Sequence, residues 1–238
     1  MRIAMWSGPR NLSTAMMYAF GNRADVAAVD EPFYATYLER TGLAHPMREA
    51  ILASQPTDPA EVIATLTGPV PEGRAHHYQK HMTQHMLPEI PRDWLSQVTN
   101  VFLLRHPARV VASFSAKYDN PTAEEIGFLQ QAELYDQVCG LGQAPVVIDS
   151  HDIRADPERM LRLLCDALSL DWDPAMLSWP AGPHPADGVW APHWYGAVHR
   201  STGFAGAEGP LPALPPEQAA LVEQVLPAYR RLCKAKLD

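Results

Sequence analysis

Lysine is scarce in this chain: Lys80, Lys117, Lys234 and Lys236 are the only four in 238 residues, and the last two sit in the tail. Lysine and arginine together number 19 against 27 acidic residues, giving a formal net charge of -8. A broad basic field is therefore missing, which excludes DNA, RNA or another long polyanion as a partner. One small anion in a local basic pocket remains compatible with that balance. Cysteine is equally sparse. Cys139, Cys165 and Cys233 are scattered and form no C-x-x-C pair, which excludes a disulfide framework and fits thiols filling in or near the core. No apolar run approaches the roughly 18 residues of a membrane span. Pro9, Arg10 and Asn11 interrupt the only N-terminal stretch that resembles a signal-peptide core. The expectation is a cytoplasmic protein with no membrane partner.

What is present is core-forming material, with 47% hydrophobic residues, arranged as alternating strands and helices. Short apolar runs at Arg2–Trp6, Val26–Val29, Asn100–Arg105 and Pro145–Ile148 read as strands, and the more polar Ala75–Met82 is a further candidate strand. Helical patterns occupy Leu12–Arg23, Phe33–Arg40, Met47–Ser54, Pro59–Leu66, Ala108–Tyr118, Ala123–Leu141, Pro157–Leu170 and Glu217–Lys236. Alternation of this kind predicts an α/β fold with a central, mostly parallel sheet flanked by helices in three layers. No repeat or long linker divides residues 1–238, so one domain is expected. The Pro/Gly-rich stretch at 180–216 is irregular and is a candidate lid. Ligands of such sheets sit beyond the carboxyl ends of strands.

The first strand-to-helix turn reads Ser7-Gly8-Pro9-Arg10-Asn11-Leu12-Ser13-Thr14. A strand feeding a tight turn and a helix aims backbone N–H groups at one point, where an anion is favoured. Arg10 adds a positive charge, and Ser13 and Thr14 add hydroxyl donors. Against the Walker pattern, Ser13 falls on the second glycine, Thr14 on the lysine and Ala15 on the Mg²⁺-binding hydroxyl. The turn thus suits a phosphate-type anion held without a metal. The alternative is a Ser/Thr helix cap that touches no ligand.

A second segment runs Asn100-Val-Phe-Leu-Leu-Arg105-His106-Pro107, with Ser113 eight positions beyond Arg105. Arg105 closes an apolar strand, where a guanidinium needs an anionic partner or open solvent. Together these segments resemble the nucleotide-binding elements of the sulfotransferase family. The resemblance implies a P-loop-like fold and 3′-phosphoadenosine-5′-phosphosulfate (PAPS) as co-substrate, with no metal. It implies that Gly8, Pro9, Arg10, Asn11, Leu12, Ser13 and Thr14 surround the 5′-phosphosulfate, with Asn11-Leu12 in place of the usual Ser-Gly. It likewise puts Arg105 and Ser113 on the 3′-phosphate. A third family element, a basic glycine-containing loop, has a loose counterpart in Arg200, Ser201 and Gly203.

Sulfuryl transfer to a hydroxyl or amine of a small acceptor needs a base, and positive charge where the leaving oxygen develops negative charge. Arg10 and Lys80 are candidates for the charge. The base is Glu31, after the second strand, or His81, one position early relative to the histidine of cytosolic family members. His76, His77, His81 and His85 lack a metal-ligand pattern. Trp190, His193, Trp194 and Tyr195 are candidate acceptor-lid residues. Two rivals remain: a P-loop kinase of a small metabolite, which needs a Mg²⁺ ligand that Ala15 does not supply, and a phosphoadenosine-nucleotide sensor without turnover.

Overall fold

A computed structural model of the chain describes residues 1–117 and 121–238. Five strands form one sheet: β1 (Arg2–Ser7), β2 (Val26–Asp30), β3 (His76–Met82), β4 (Thr99–Leu104) and β5 (Val146–Asp149). Their order is β2-β3-β1-β4-β5, and every pairing is parallel. The α/β architecture read from the alternating pattern, P-loop-like as the resemblance implies, is the observed one. Near-continuous apolar runs suit such strands, because helices cover both faces.

Side-chain alternation splits the core in two. On β1, Ile3 and Met5 face one side and Ala4 and Trp6 the other. The first face packs against helix α1 (Ser13–Gly21) through Met16, Met17 and Phe20. Between β2 and β3 lie α2 (Tyr34–Thr41), α3 (Arg48–Ser54) and α4 (Pro59–Thr67), the last adding Val62 and Leu66 to the second face. After β4 come α5 (Pro107–Ser115), α6 (Ala123–Ile126) and α7 (Phe128–Gly140). Tyr118, where the sequence reading ends α5, lies outside the described residues. After β5 come α8 (Ser150–Ala155), α9 (Pro157–Leu168), the short α10 (Ala191–Trp194) and α11 (Gly196–His199), and finally α12 (Pro216–Cys233).

Two helical readings are corrected by turn chemistry. The predicted helix at 123–141 is broken at Gly127, whose φ of 73° is left-handed. Thr122 and Glu125 form a capping box that starts α6 separately. Helix α8 escaped the sequence reading because it follows β5 without a loop. Asp149 ends the strand and caps the helix, accepting from His151 N at 2.8 Å. Among the cysteines, Cys165 is buried and Cys233 half-buried, but Cys139 is exposed on α7 rather than filling the core. Among the described residues no helix is long and apolar enough to cross a membrane.

The chain leaves β1 for β2 on one side of it and later returns to β4 on the other. This change of direction opens a crevice at the carboxyl end of β1. The turn there is packed tightly. A Cβ on Gly8 would lie 2.5 Å from the carbonyl oxygen of Ile126, so only glycine admits the α6–α7 corner.

Candidate functional site

The crevice holds a cavity of about 650 Å³. Pro9 to Thr14 and Glu31, Lys80, Arg105, Ser113, Ser201 and Gly203 all line it. Residues 103 positions apart meet here: Arg10 Nε donates to Ser113 Oγ at 2.9 Å. Arg105 Nη1 donates to the Arg10 carbonyl at 2.6 Å. Asn11 fastens the turn to β4, its Nδ2 donating to the Leu103 carbonyl at 3.0 Å. Arg10 is left-handed, with φ of 55°, a conformation rare for a residue with a side chain and often kept at functional sites. The Ser/Thr cap alternative is not what forms, because Leu12 is the N-cap of α1 and no side chain caps that helix. The hydroxyls of Ser13 and Thr14 are therefore not spent on capping.

Glu31 is the second left-handed residue of the site, with φ of 38°. Its backbone is held from both directions: its N–H donates to the Lys80 carbonyl at 2.9 Å and its carbonyl accepts from Tyr34 N at 3.0 Å. Lys80, the other candidate for positive charge, lies buried on β3. It is 1% exposed, because register pairs it with Asp30 on the neighbouring strand. Its Nζ donates to Asp30 Oδ1 at 2.7 Å, Glu31 Oε1 at 2.6 Å and Tyr195 OH at 2.6 Å. Tyr195 OH in turn donates to Asp30 Oδ2 at 2.8 Å and accepts from Trp190 Nε1 at 2.9 Å.

Burial raises the Asp30 carboxyl to about 6, opposed by the Lys80 charge and reinforced by Glu31. Burial alone would lower Lys80, but Asp30 and Glu31 outweigh it and hold the ammonium above its ordinary range. One buried cation thus serves two carboxylates. Among the described residues no side chain donates to Glu31 Oε2, which lies 3.9 Å from His85 Nδ1.

His81 is turned away from this chemistry. Strand alternation puts Lys80 on the cavity side and His81 on the other, where it stacks on Trp6 with ring centroids 4.3 Å apart. It is 1% exposed, and burial pushes its imidazole down to about 3. The structure therefore corrects the reading of His81 as a base, since its ring is sealed in the core. His85 does line the cavity, stacked between Tyr34 and Tyr37 at 4.6 and 4.7 Å. Burial lowers it well below the usual imidazole range. Its Nδ1 has no hydrogen-bond partner among the described residues.

The third segment divides. Ser201 and Gly203 line the cavity, with Ser201 Oγ bonded to the Val198 carbonyl at 2.7 Å. Arg200 is exposed after α11 and does not line it, which corrects its placement beside the nucleotide. Where a basic loop was expected, the structure has Glu208. Its carboxylate is 2.6 Å from Arg105, 3.0 Å from Arg109 and 2.8 Å from Arg154. Burial alone would raise Glu208, but the hydrogen bond from Arg105 and the three guanidinium charges hold it below the usual carboxylate range. Sequence reasoning missed Glu208, Arg154 and Asp30, and it read Tyr195 as a lid residue without its bonds to Asp30 and Lys80. Of the three missed residues only Asp30 carried a signal, as the acidic neighbour of Glu31 at a strand end.

A parallel sheet of this order, with the β1–α1 turn and the arginine after β4 lining one cavity, is a P-loop-like α/β arrangement. The chain belongs to the sulfotransferase domain family, whose pattern it matches over residues 1–236. Its structure is similar to the sulfotransferase domain from the curacin biosynthetic pathway, with a TM-score of 0.54, 17% identity and coverage of 94% of this chain and 96% of that one. It is also similar to the sulfotransferase from Alicyclobacillus acidocaldarius, with a TM-score of 0.56, 11% identity and coverage of 99% and 96%. At such identities the likeness shows the fold. Two Arabidopsis thaliana relatives, branched-chain-amino-acid aminotransferase-like proteins 1 and 2, are 37% and 35% identical over 97% of this chain. The chain spans 41% of the length of each.

Proposed function

We propose that this sulfotransferase-family chain moves the sulfuryl group of PAPS to a hydroxyl or amine of a small acceptor, without a metal. The observation that carries the reading is the single cavity uniting Arg10, Ser13 and Thr14 with Arg105, Ser113 and Glu31. Its volume of about 650 Å³ lies within the range of nucleotide-sized pockets. The bound donor would supply an activated sulfur whose bond to the 5′-phosphate breaks as the acceptor bond forms. Backbone N–H groups of the β1–α1 turn and the guanidinium of Arg10 would hold the phosphosulfate and meet the charge developing on the leaving oxygen. Arg105 and Ser113 would hold the 3′-phosphate. Glu31 would take the acceptor proton on Oε2, because Lys80 already occupies Oε1. Lys80 would orient Glu31 through its 2.6 Å bond and stay protonated. Trp194 and Tyr195 of the 180–216 region line the cavity and would cover the acceptor as a lid.

Titration calorimetry tests the donor. The 3′-phosphate would add charge-assisted hydrogen bonds to Arg105 and Ser113 that AMP cannot make, each worth about 1.5–3 kcal/mol. 3′-Phosphoadenosine 5′-phosphate (PAP) should bind at least about tenfold more tightly than AMP, with no effect of chelator, and Arg105→Ala should abolish the preference. Equal affinities, or ATP binding that requires Mg²⁺, overturn the reading.

A further inference from the structure

Glu208 sits in an unusual place for a residue of its loop. Ala205, Gly206, Ala207, Gly209 and Pro210 are all exposed and without regular structure, yet the Glu208 side chain between them is 2% exposed. It reaches inward to three guanidiniums that come from different elements: Arg105 after β4, Arg109 on α5 and Arg154 on α8. Three cations around one carboxylate leave a cluster of net charge +2, which a phosphate monoester of charge about -2 matches better than a carboxylate does.

The loop's polar hold on the body of the protein runs through the same arginines. Arg154 Nε donates to the Gly206 carbonyl at 2.9 Å, and Arg109 donates to the Gly209 carbonyl. Phe204 at the base of the loop is fixed by Trp179, with ring centroids 5.2 Å apart. The loop therefore has an apolar hinge and an ionic tip. Behind the tip, a hollow of about 100 Å³ is bordered by Arg105, Arg154 and Ser150. Ser150 Oγ is buried there and has no hydrogen-bond partner among the described residues. A buried hydroxyl without a partner costs free energy that a ligand oxygen would recover.

We propose that Arg105, Arg109 and Arg154 form one phosphate-monoester site with Ser150 Oγ at its inner wall. Glu208 is its internal occupant, an anion stored in the chain that the entering 3′-phosphate displaces. This rests on the donor reading above, and it adds Arg109, Arg154 and Ser150 to the nucleotide site. The exchange swaps one charge-assisted set of hydrogen bonds for another, so the guanidiniums are never left buried without an anion. It also lowers apparent nucleotide affinity by the fraction of molecules in which Glu208 is in place.

The test measures PAP, AMP and inorganic phosphate binding by calorimetry for the unmodified chain, Glu208→Gln, Glu208→Ala and Arg154→Ala. Circular dichroism confirms that each is folded, and Glu208→Gln keeps the side-chain volume should Glu208→Ala unfold. Both Glu208 variants should bind PAP about tenfold more tightly, with AMP unchanged, and Arg154→Ala should weaken PAP by about tenfold while sparing AMP. If PAP still outbinds AMP but both Glu208 variants bind it equally or more weakly, Glu208 is a permanent brace and the displacement idea falls. Unchanged PAP affinity in Arg154→Ala removes Arg154 from the site and overturns the proposal equally. Inorganic phosphate separates the two readings: tighter phosphate binding in the Glu208 variants, without any preference of PAP over AMP, defeats the donor reading while leaving the displaced anion standing.

Discussion

Lys80 Nζ lies 2.6 Å from Glu31 Oε1, and this one bond joins the end of β2 to β3. It fixes which carboxylate oxygen is engaged, and it makes a lysine of β3 part of the positioning of a residue 49 places earlier. Three consequences can be measured.

Replacing Lys80 by Met removes the only ammonium that Asp30 and Glu31 share. Two carboxylates and the Tyr195 hydroxyl would then lose their buried donor, which costs about 3–5 kcal/mol for a broken buried pair. Urea denaturation of Lys80→Met should show a loss of that size. A loss below about 1 kcal/mol would mean that the network behaves like an exposed pair.

The placement of Glu31 and His81 on opposite faces separates their roles. Single-turnover transfer by Glu31→Gln should fall about 10²–10⁴-fold while nucleotide affinity stays near that of the unmodified chain. His81→Phe keeps the stack on Trp6 and should retain transfer within a few-fold. Comparable loss in both variants would show that stability, and not proton transfer, is being measured.

His81 should also mark the pH dependence of folding. Its imidazole is held down at about 3 by burial, then by His77 and His85, whereas the unfolded chain titrates near 6.5. Between these values the unfolded state binds the extra proton, so the stabilisation present above about pH 6.5 is lost as pH falls toward 3. From pH 7 to pH 5 this amounts to about 2 kcal/mol for one such group. Denaturant midpoints for His81→Phe should decline less steeply over that interval. Parallel slopes for the two proteins would show that His81 is accessible to protons in the folded state.

Much of the fold was legible because its signals are local. Apolar runs mark four of the five strands, β3 being more polar, and the Asp156-Pro157 start signal marks α9, where Asp156 accepts from Arg159 N at 3.1 Å. Helix α8 was not legible, since its cap is also the last strand residue. Of the site, the turn after β1 and the arginine after β4 could be read because each is a contiguous motif. Glu208 could not: it stands in a stretch of glycine, alanine and proline, 103 residues from Arg105.

By itself the sequence determined the alternation of strands and helices, the strand-to-helix turn after β1 and the spacing from Arg105 to Ser113. Periodicity, caps and turns are properties of neighbouring residues. Tertiary structure alone decided that Lys80 is buried rather than exposed, that His81 stacks on Trp6 behind the sheet, and that Glu208 lies among three arginines. Those outcomes depend on sheet order and register, which set the strand faces that share a cavity. They also depend on the cost of burying a charge without a partner, which draws distant residues of opposite sign together.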